Sequence, residues 1–179
     1  MSKKESLFSL QFTLLCVSSL LFFSSFNMIV PDLYDYIEAM GGGELKGLII
    51  ALFTVTAGLS RPFSGKLADT VGRLPVMIFG VAVCVLLGIL YPIVSTVWGL
   101  LLLRLLHGFS TGFKPTGTSA FIADMIPANR RGEAMGYFGL FGSIGMALGP
   151  GIGPRITAGY GLNAMFYSSA VIAFLSIAI

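Results

Sequence analysis

The sequence predicts an all-α polytopic membrane protein of six transmembrane helices, and three observations carry that reading. Hydrophobic residues make up 55% of the chain and charged residues only 11%, where a soluble domain carries about 25% charged residues. Mean hydropathy is +0.89. Apolar runs also recur at about the 20 residues needed to cross a hydrocarbon core of about 30 Å. Lipid offers backbone groups no outside partner, so single long runs of this kind must be helices.

The runs fall at residues 7–30, 45–63, 74–93, 97–123, 134–156 and 162–179. The first is too long for the apolar core of a secretory signal, lacks an Ala-x-Ala-like site and is followed by further spans. Between the first and second lies an acidic stretch, in which Asp32, Asp35, Glu38 and Glu44 face Lys46; Asp32 and Asp35 read as solvated loop charges. The second and third are joined by the polar turn Gly65–Arg73, and the third and fourth by uncharged Ser95-Thr96. Arg130 and Arg131 separate the fourth from the fifth. The sixth stops at Ile179 without a polar flank and reads as a truncated end.

Loop charge orients the spans. Lys3, Lys4, Lys66, Arg73, Arg130 and Arg131 fall on one side, and basic loops stay in the cytoplasm. The N-terminus is therefore expected inside a plasma membrane, such as the inner membrane of a bacterium, with Arg155 the one exception in the outer loops. The formal charge of +3 has this local explanation and implies no nucleic-acid partner. Cys16 and Cys84 lie in apolar runs and read as small buried hydrophobes. No metal-ligand cluster, catalytic Ser/His/Asp set, paired catalytic carboxylates or P-loop is present in the sequence, which argues against an enzyme and against ATP-driven transport.

Ionisable residues at membrane depth face a cavity or a partner. The fourth span holds Arg104, His107, Thr111, Lys114 and Thr118, and helical geometry gathers them within roughly a quarter of the circumference. Snorkelling to the interfaces is the bland account. His107 and the threonines on the same face favour the wall of a water-filled cavity. Pro115 removes a backbone donor beside Lys114. No Asp or Glu falls at the middle of any span, so Asp32 and Asp35 are the nearest candidates for a coupling carboxylate. The fifth span carries a glycine ladder, Gly136, Gly139, Gly142, Gly145, Gly149 and Gly153, spaced for close helix packing. Gly149-Pro150-Gly151 is expected to bend it. In the polar turn, Gly65 leaves room for a neighbouring backbone, and Asp69 can accept from Arg73 or Arg131.

These residues resemble the major facilitator superfamily of secondary transporters. Gly65-x-Leu67-Ala68-Asp69-x-x-Gly72-Arg73 is similar to the signature between that family's second and third helices, departing at Thr70 and Leu74. Arg104-x-x-His107-Gly108 resembles its Arg-x-x-Gln-Gly element, with His in the Gln position. Gly145-x-x-x-Gly149-Pro150-x-x-Gly153 resembles the motif of drug–proton antiporters, with Pro154 where a second Gly is usual. Asp124 and Arg131 resemble inner-gate charges. The resemblance covers nearly the whole chain but half of the family's architecture. It implies one bundle of two inverted three-helix repeats, with the C-terminal bundle absent. It also implies a cytoplasmic gate at Gly65, Asp69, Gly72, Arg73, Asp124 and Arg131, and a glycine face that packs across the central interface.

The expected function is transmembrane transport of a small solute by alternating access, as proton-coupled efflux. A proton gradient is the energy source and no cofactor is expected. Partners are the lipid bilayer, a small-molecule substrate, and the missing bundle or a second copy of the chain. The alternatives are a homodimeric half-transporter and a non-transporting membrane interaction or sensor protein. The cations of the fourth span suit an anionic or zwitterionic substrate, and Phe22, Phe23 and Phe26 suit an apolar one.

Overall fold

The computed structural model describes residues 7–178, so Lys3, Lys4 and Ile179 lie outside the described residues. Seven α-helices account for most of the chain: α1 (Leu10–Met28), α2 (Val30–Ala39), α3 (Lys46–Thr70), α4 (Arg73–Leu90), α5 (Val97–Met125), α6 (Arg131–Tyr160) and α7 (Leu162–Ala178). No strand occurs among the described residues. Four stretches, Leu10–Ala39, Gly43–Thr70, Arg73–Ile93 and Ala128–Tyr160, are long and apolar enough to cross a membrane. α5 is as long as these but carries the buried Arg104, His107 and Lys114.

Local chemistry sets the ends. Ser9 caps α1 by accepting from the Phe12 N–H, and Thr96 caps α5 by accepting from that of Gly99 at 3.2 Å, each supplying a partner for an otherwise orphaned amide. Pro31 stands in the first turn of α2, where its missing N–H costs nothing. Between α3 and α4, Gly72 has φ +111°, backbone that L side chains rarely adopt.

Two differences from the predicted spans bear on function. The Gly65–Arg73 segment is not a loop: α3 runs to Thr70, so Gly65 and Asp69 are helical and only Val71 and Gly72 make the turn. Hydropathy marks where polar residues begin, whereas the helix continues until a residue breaks it. The acidic stretch after the first span is also helical. Asp32 lies in α2, buried at 9% exposure, with Leu33 and Ile37 beside it, so it is not a solvated loop charge. Asp35 on the same helix is exposed, and Glu38 pairs with Lys46.

The helices pack as an arch. α1 lies against α6 and α7, α4 against α5 and α7, and α3 against α5. Exchanging α1 with α5, α3 with α6 and α4 with α7 leaves this set of neighbours unchanged, so the two halves of the chain make equivalent contacts. α3 and α6 end the arch and are the least covered; only 17% and 22% of their apolar windows are buried, against 50% for α1–α2 and 44% for α4. Large apolar side chains such as Phe63 (73% exposed) and Trp98 (74%) line the outer surface, as lipid contact requires.

Serines knit the interior. Ser24 donates to the Gly145 carbonyl (3.1 Å), Ser64 to that of Gly112 (2.6 Å) and Ser169 to that of Ser25 (2.7 Å), and Ser18 donates to that of Ser176. Interhelical bonds of this kind contribute about 0.6 kcal/mol each. Glycines allow close approach at the α3–α5 and α1–α6 crossings. Gly108 and Gly112 face α3, where a Cβ on Gly108 would lie 2.8 Å from the Ala57 nitrogen. Gly145, Gly149 and Gly153 face α1, where a Cβ on Gly153 would fall on the Met28 carbonyl.

Candidate functional site

At the end of the bundle where α3 gives way to α4, Arg73 bridges two carboxylates. Its Nε donates to Asp124 Oδ2 at 3.0 Å and its Nη1 donates to Asp69 Oδ1. One guanidinium thereby ties the end of α3, the start of α4 and the end of α5. Both carboxylates are more than half exposed, at 69% for Asp69 and 61% for Asp124, so water screens these pairs and their stabilisation is small. Arg131 does not join them; its Nε donates to the Ile126 carbonyl at 3.2 Å. Arg130 pairs with Glu133. Gly65 has nothing within 4 Å of where a Cβ would stand among the described residues, so its small size serves no contact within this bundle.

The polar stripe of α5 is buried throughout, yet its members face different neighbours. Arg104, wholly buried, donates from Nε to the Ile49 carbonyl at 3.0 Å, and its guanidinium carbon lies 4.5 Å from the centroid of the Phe53 ring. Among the described residues neither terminal nitrogen of Arg104 has a hydrogen-bond partner, although the Tyr91 hydroxyl lies alongside. His107 sits between Tyr91 Oη, 3.2 Å from Nδ1, and Cys84 Sγ, 3.3 Å from Nε2. Lys114 donates to Ser19 Oγ at 3.1 Å and lies 5.2 Å from the centroid of Phe22. Thr111 and Thr118 return their hydroxyls to carbonyls of their own helix, those of Gly108 and Lys114.

Two cavities divide the stripe further. Arg104 and Thr111 line one of about 370 Å³ between α1, α3, α5 and α6, walled by Phe23, Phe26 and Phe53. Lys114 lines another of about 220 Å³ between α1, α4, α5 and α7, with Gln11, Ser18 and Ser176. A helical wheel assigns a face to a residue but not the helix opposite, which is why one stripe reads as one wall in sequence.

The glycine ladder also finds its partner inside this chain. Gly142 faces the Phe23 ring, and Gly145, Gly149 and Gly153 lie on the α1 backbone, whereas the resemblance implied packing across a central interface. The backbone of α1 comes too near for any side chain there. Among the described residues nothing lies within 4 Å of a Cβ on Gly136 or Gly139, and α6 runs through Pro150 and Pro154 without interruption.

Sequence reasoning took Asp32 for a loop residue. Its Oδ2 is buried without a hydrogen-bond partner among the described residues, and Thr157 of α6 lies beside it. The four-residue spacing of Leu33 and Ile37 behind Pro31 is the signal that would have extended the helix through it. Tyr91, Ser19 and Phe53, which contact the stripe from other helices, had no such signal.

An apolar exterior, buried cations and a solute-sized cavity between helices define an integral membrane protein of polytopic helical type. The chain belongs to the major facilitator superfamily, whose profile matches residues 15–179. It is similar to "Multidrug resistance protein MdtG" of Rahnella sp. (strain Y9602), at 32% identity over 158 residues, covering 85% of this chain and 38% of that protein. It is also 33% identical over 159 residues to "Multi-drug resistance efflux pump PmrA" of Streptococcus pneumoniae serotype 4, covering 86% and 39%. "Multidrug resistance protein 2" of Bacillus subtilis (strain 168) is 28% identical over 155 residues, covering 86% and 38%. The chain thus spans well under half the length of the curated relatives it matches.

Proposed function

We propose that this chain is the N-terminal six-helix bundle of a proton-coupled exporter that works by alternating access in a plasma membrane, with its N-terminus in the cytoplasm. The observation that carries the reading is the 370 Å³ cavity between α1, α3, α5 and α6, the size of a small-molecule site, in a chain whose relatives are named for multidrug resistance and efflux.

A second bundle, from a longer chain or from a second copy of this one, covers the exposed faces of α3 and α6. Those faces carry glycines with open space above them, Gly58 and Gly65 on α3 and Gly136 and Gly139 on α6, which suit another helix. The Asp69–Arg73–Asp124 cluster closes the cytoplasmic side; its exposed pairs break at little cost, as a gate requires. Asp32 carries the coupling proton. A carboxyl group whose exposure changes between two conformations takes up and releases a proton, and Asp32 stands at the joint between α1 and α2 against α6.

Proteoliposomes with an acid lumen test the reading. Outward proton flow should drive ethidium or a neutral or anionic dye inward through the complete transporter. Failure to accumulate any of the three charge classes would contradict export.

A further inference from the structure

Resting on that reading, we propose that Thr157 of α6 is a positioning residue for proton coupling, whose hydroxyl donates to the Asp32 carboxylate when α6 closes on α1 and α2. The argument starts from register. A Cβ on Gly145, Gly149 or Gly153 would meet the carbonyl oxygens of Leu20, Ser24 and Met28 in turn. Both sides of the seam step by four residues, so the next rung sets Thr157 against Asp32. The two side chains do lie beside each other. The seam thus ends on a hydroxyl, in place of a glycine, at the level of the carboxylate.

What both groups leave unused points the same way. Asp32 is buried, and its Oδ2 has no hydrogen-bond partner among the described residues; neither has Thr157 Oγ1, which is buried as well. Thr116 and Thr118 of α5 return their hydroxyls to the carbonyls four residues back, at 2.9 and 2.8 Å. Thr157 makes no such bond to its own helix. One of these two orphans can donate and the other accepts when ionised. A change of rotamer joins them, whereas leaving both buried and unpaired costs stability.

The pairing ties charge to helix position. A donor on the carboxylate favours its charged form, so closing the rung releases the proton. Parting the rung leaves a buried carboxyl without a donor, which keeps its proton. Asp35, on α2 itself, is the charged neighbour that acts on Asp32; α3 and α6, which also pack on α2, turn no such charge to it among the described residues.

Proteoliposomes of the complete transporter with an acid lumen read the effect as accumulation of ethidium, a neutral dye or an anionic dye. Exchange of labelled for unlabelled dye without a gradient is followed in parallel. Thr157→Val keeps the shape of the side chain and removes the hydroxyl. Accumulation at neutral pH should fall at least about tenfold while exchange continues. Raising the pH on both sides by about one to two units, at constant gradient, should restore it, because the carboxyl then loses its proton unaided. Asp32→Asn, with nothing to titrate, should not recover. Thr157→Ser, which keeps the donor, should match wild type. Thr157→Ala should show the same loss and recovery, and decides the matter if the valine variant folds poorly.

Undiminished accumulation without the hydroxyl, a loss that Thr157→Ser shares, or a loss that alkaline pH does not reverse would each overturn the proposal, and inactivity of Asp32→Asn in the same assay would leave the export reading standing. Accumulation that survives Asp32→Asn, or wild type that accumulates none of the three dyes, would remove the coupling reading and this proposal with it.

Discussion

Replacing Gly149 by alanine tests how closely α6 is held to α1. A Cβ there would lie 2.7 Å from the Ser24 carbonyl oxygen and 2.8 Å from the Met28 nitrogen. Both are backbone atoms inside a helix and cannot turn aside. Restoring an ordinary contact of about 3.4 Å requires the helices to part by roughly 0.7 Å. That movement also stretches the Ser24 bond to the Gly145 carbonyl, now 3.1 Å, beyond hydrogen-bonding range. Overpacking costs about 1–3 kcal/mol and the lost interhelical bond about 0.6 kcal/mol. Better helix propensity returns about 0.8–1.0 kcal/mol, leaving a net loss of about 0.6–2.8 kcal/mol. Gly139 is the internal control, because nothing among the described residues lies within 4 Å of a Cβ there. Gly139→Ala should be neutral or stabilise by up to about 1 kcal/mol. Unfolding of the 179-residue chain in detergent, followed by circular dichroism, reads both. A Gly149→Ala protein as stable as Gly139→Ala would refute the packing argument.

Lys114→Met should leave stability unchanged or raise it, since an apolar side chain of similar length replaces a buried charge. Ser19→Ala, which strips the Lys114 amine of its bond, should lower it; denaturation curves of the two decide. Asp124→Asn should leave thermal stability nearly unchanged, because its pair with Arg73 is largely exposed. In the complete transporter the same change should raise labelling of cysteines placed inside the cytoplasmic entrance. Gly72→Ala forces a side chain into φ +111° and should destabilise by about 1–3 kcal/mol, measured by the same unfolding assay. Asp32→Asn should keep the fold and abolish accumulation driven by a pH gradient, while exchange of labelled for unlabelled substrate without a gradient continues.

The helical class was legible because it depends on apolar run length; the exact chain reversals, such as the turn at Val71-Gly72, were not, because helices continue past the point where hydropathy falls. The sequence placed Arg104, His107 and Lys114 on one helix face and read that face as the wall of a water-filled cavity, whereas all three are buried. What each touches was not legible, because the partners come from elsewhere: Ile49 and Phe53 from α3, Tyr91 and Cys84 from the α4 side, Ser19 from α1. The glycine ladder announced a close crossing without naming the opposing helix. Charge composition suggested both Arg73 and Arg131 as partners of Asp69, and only the three-dimensional positions of the helix ends separate them. Asp32 was misplaced because hydropathy falls where the helix continues.

Proton counterflow tests the central claim most directly. The complete transporter is reconstituted into liposomes with pyranine in the lumen and equal pH on both sides, and substrate is added outside. Coupled antiport predicts that substrate entering the lumen drives protons out, so lumenal pH rises, and that Asp32→Asn abolishes the rise. Substrate entry with no change in lumenal pH, or with a fall, would contradict the account.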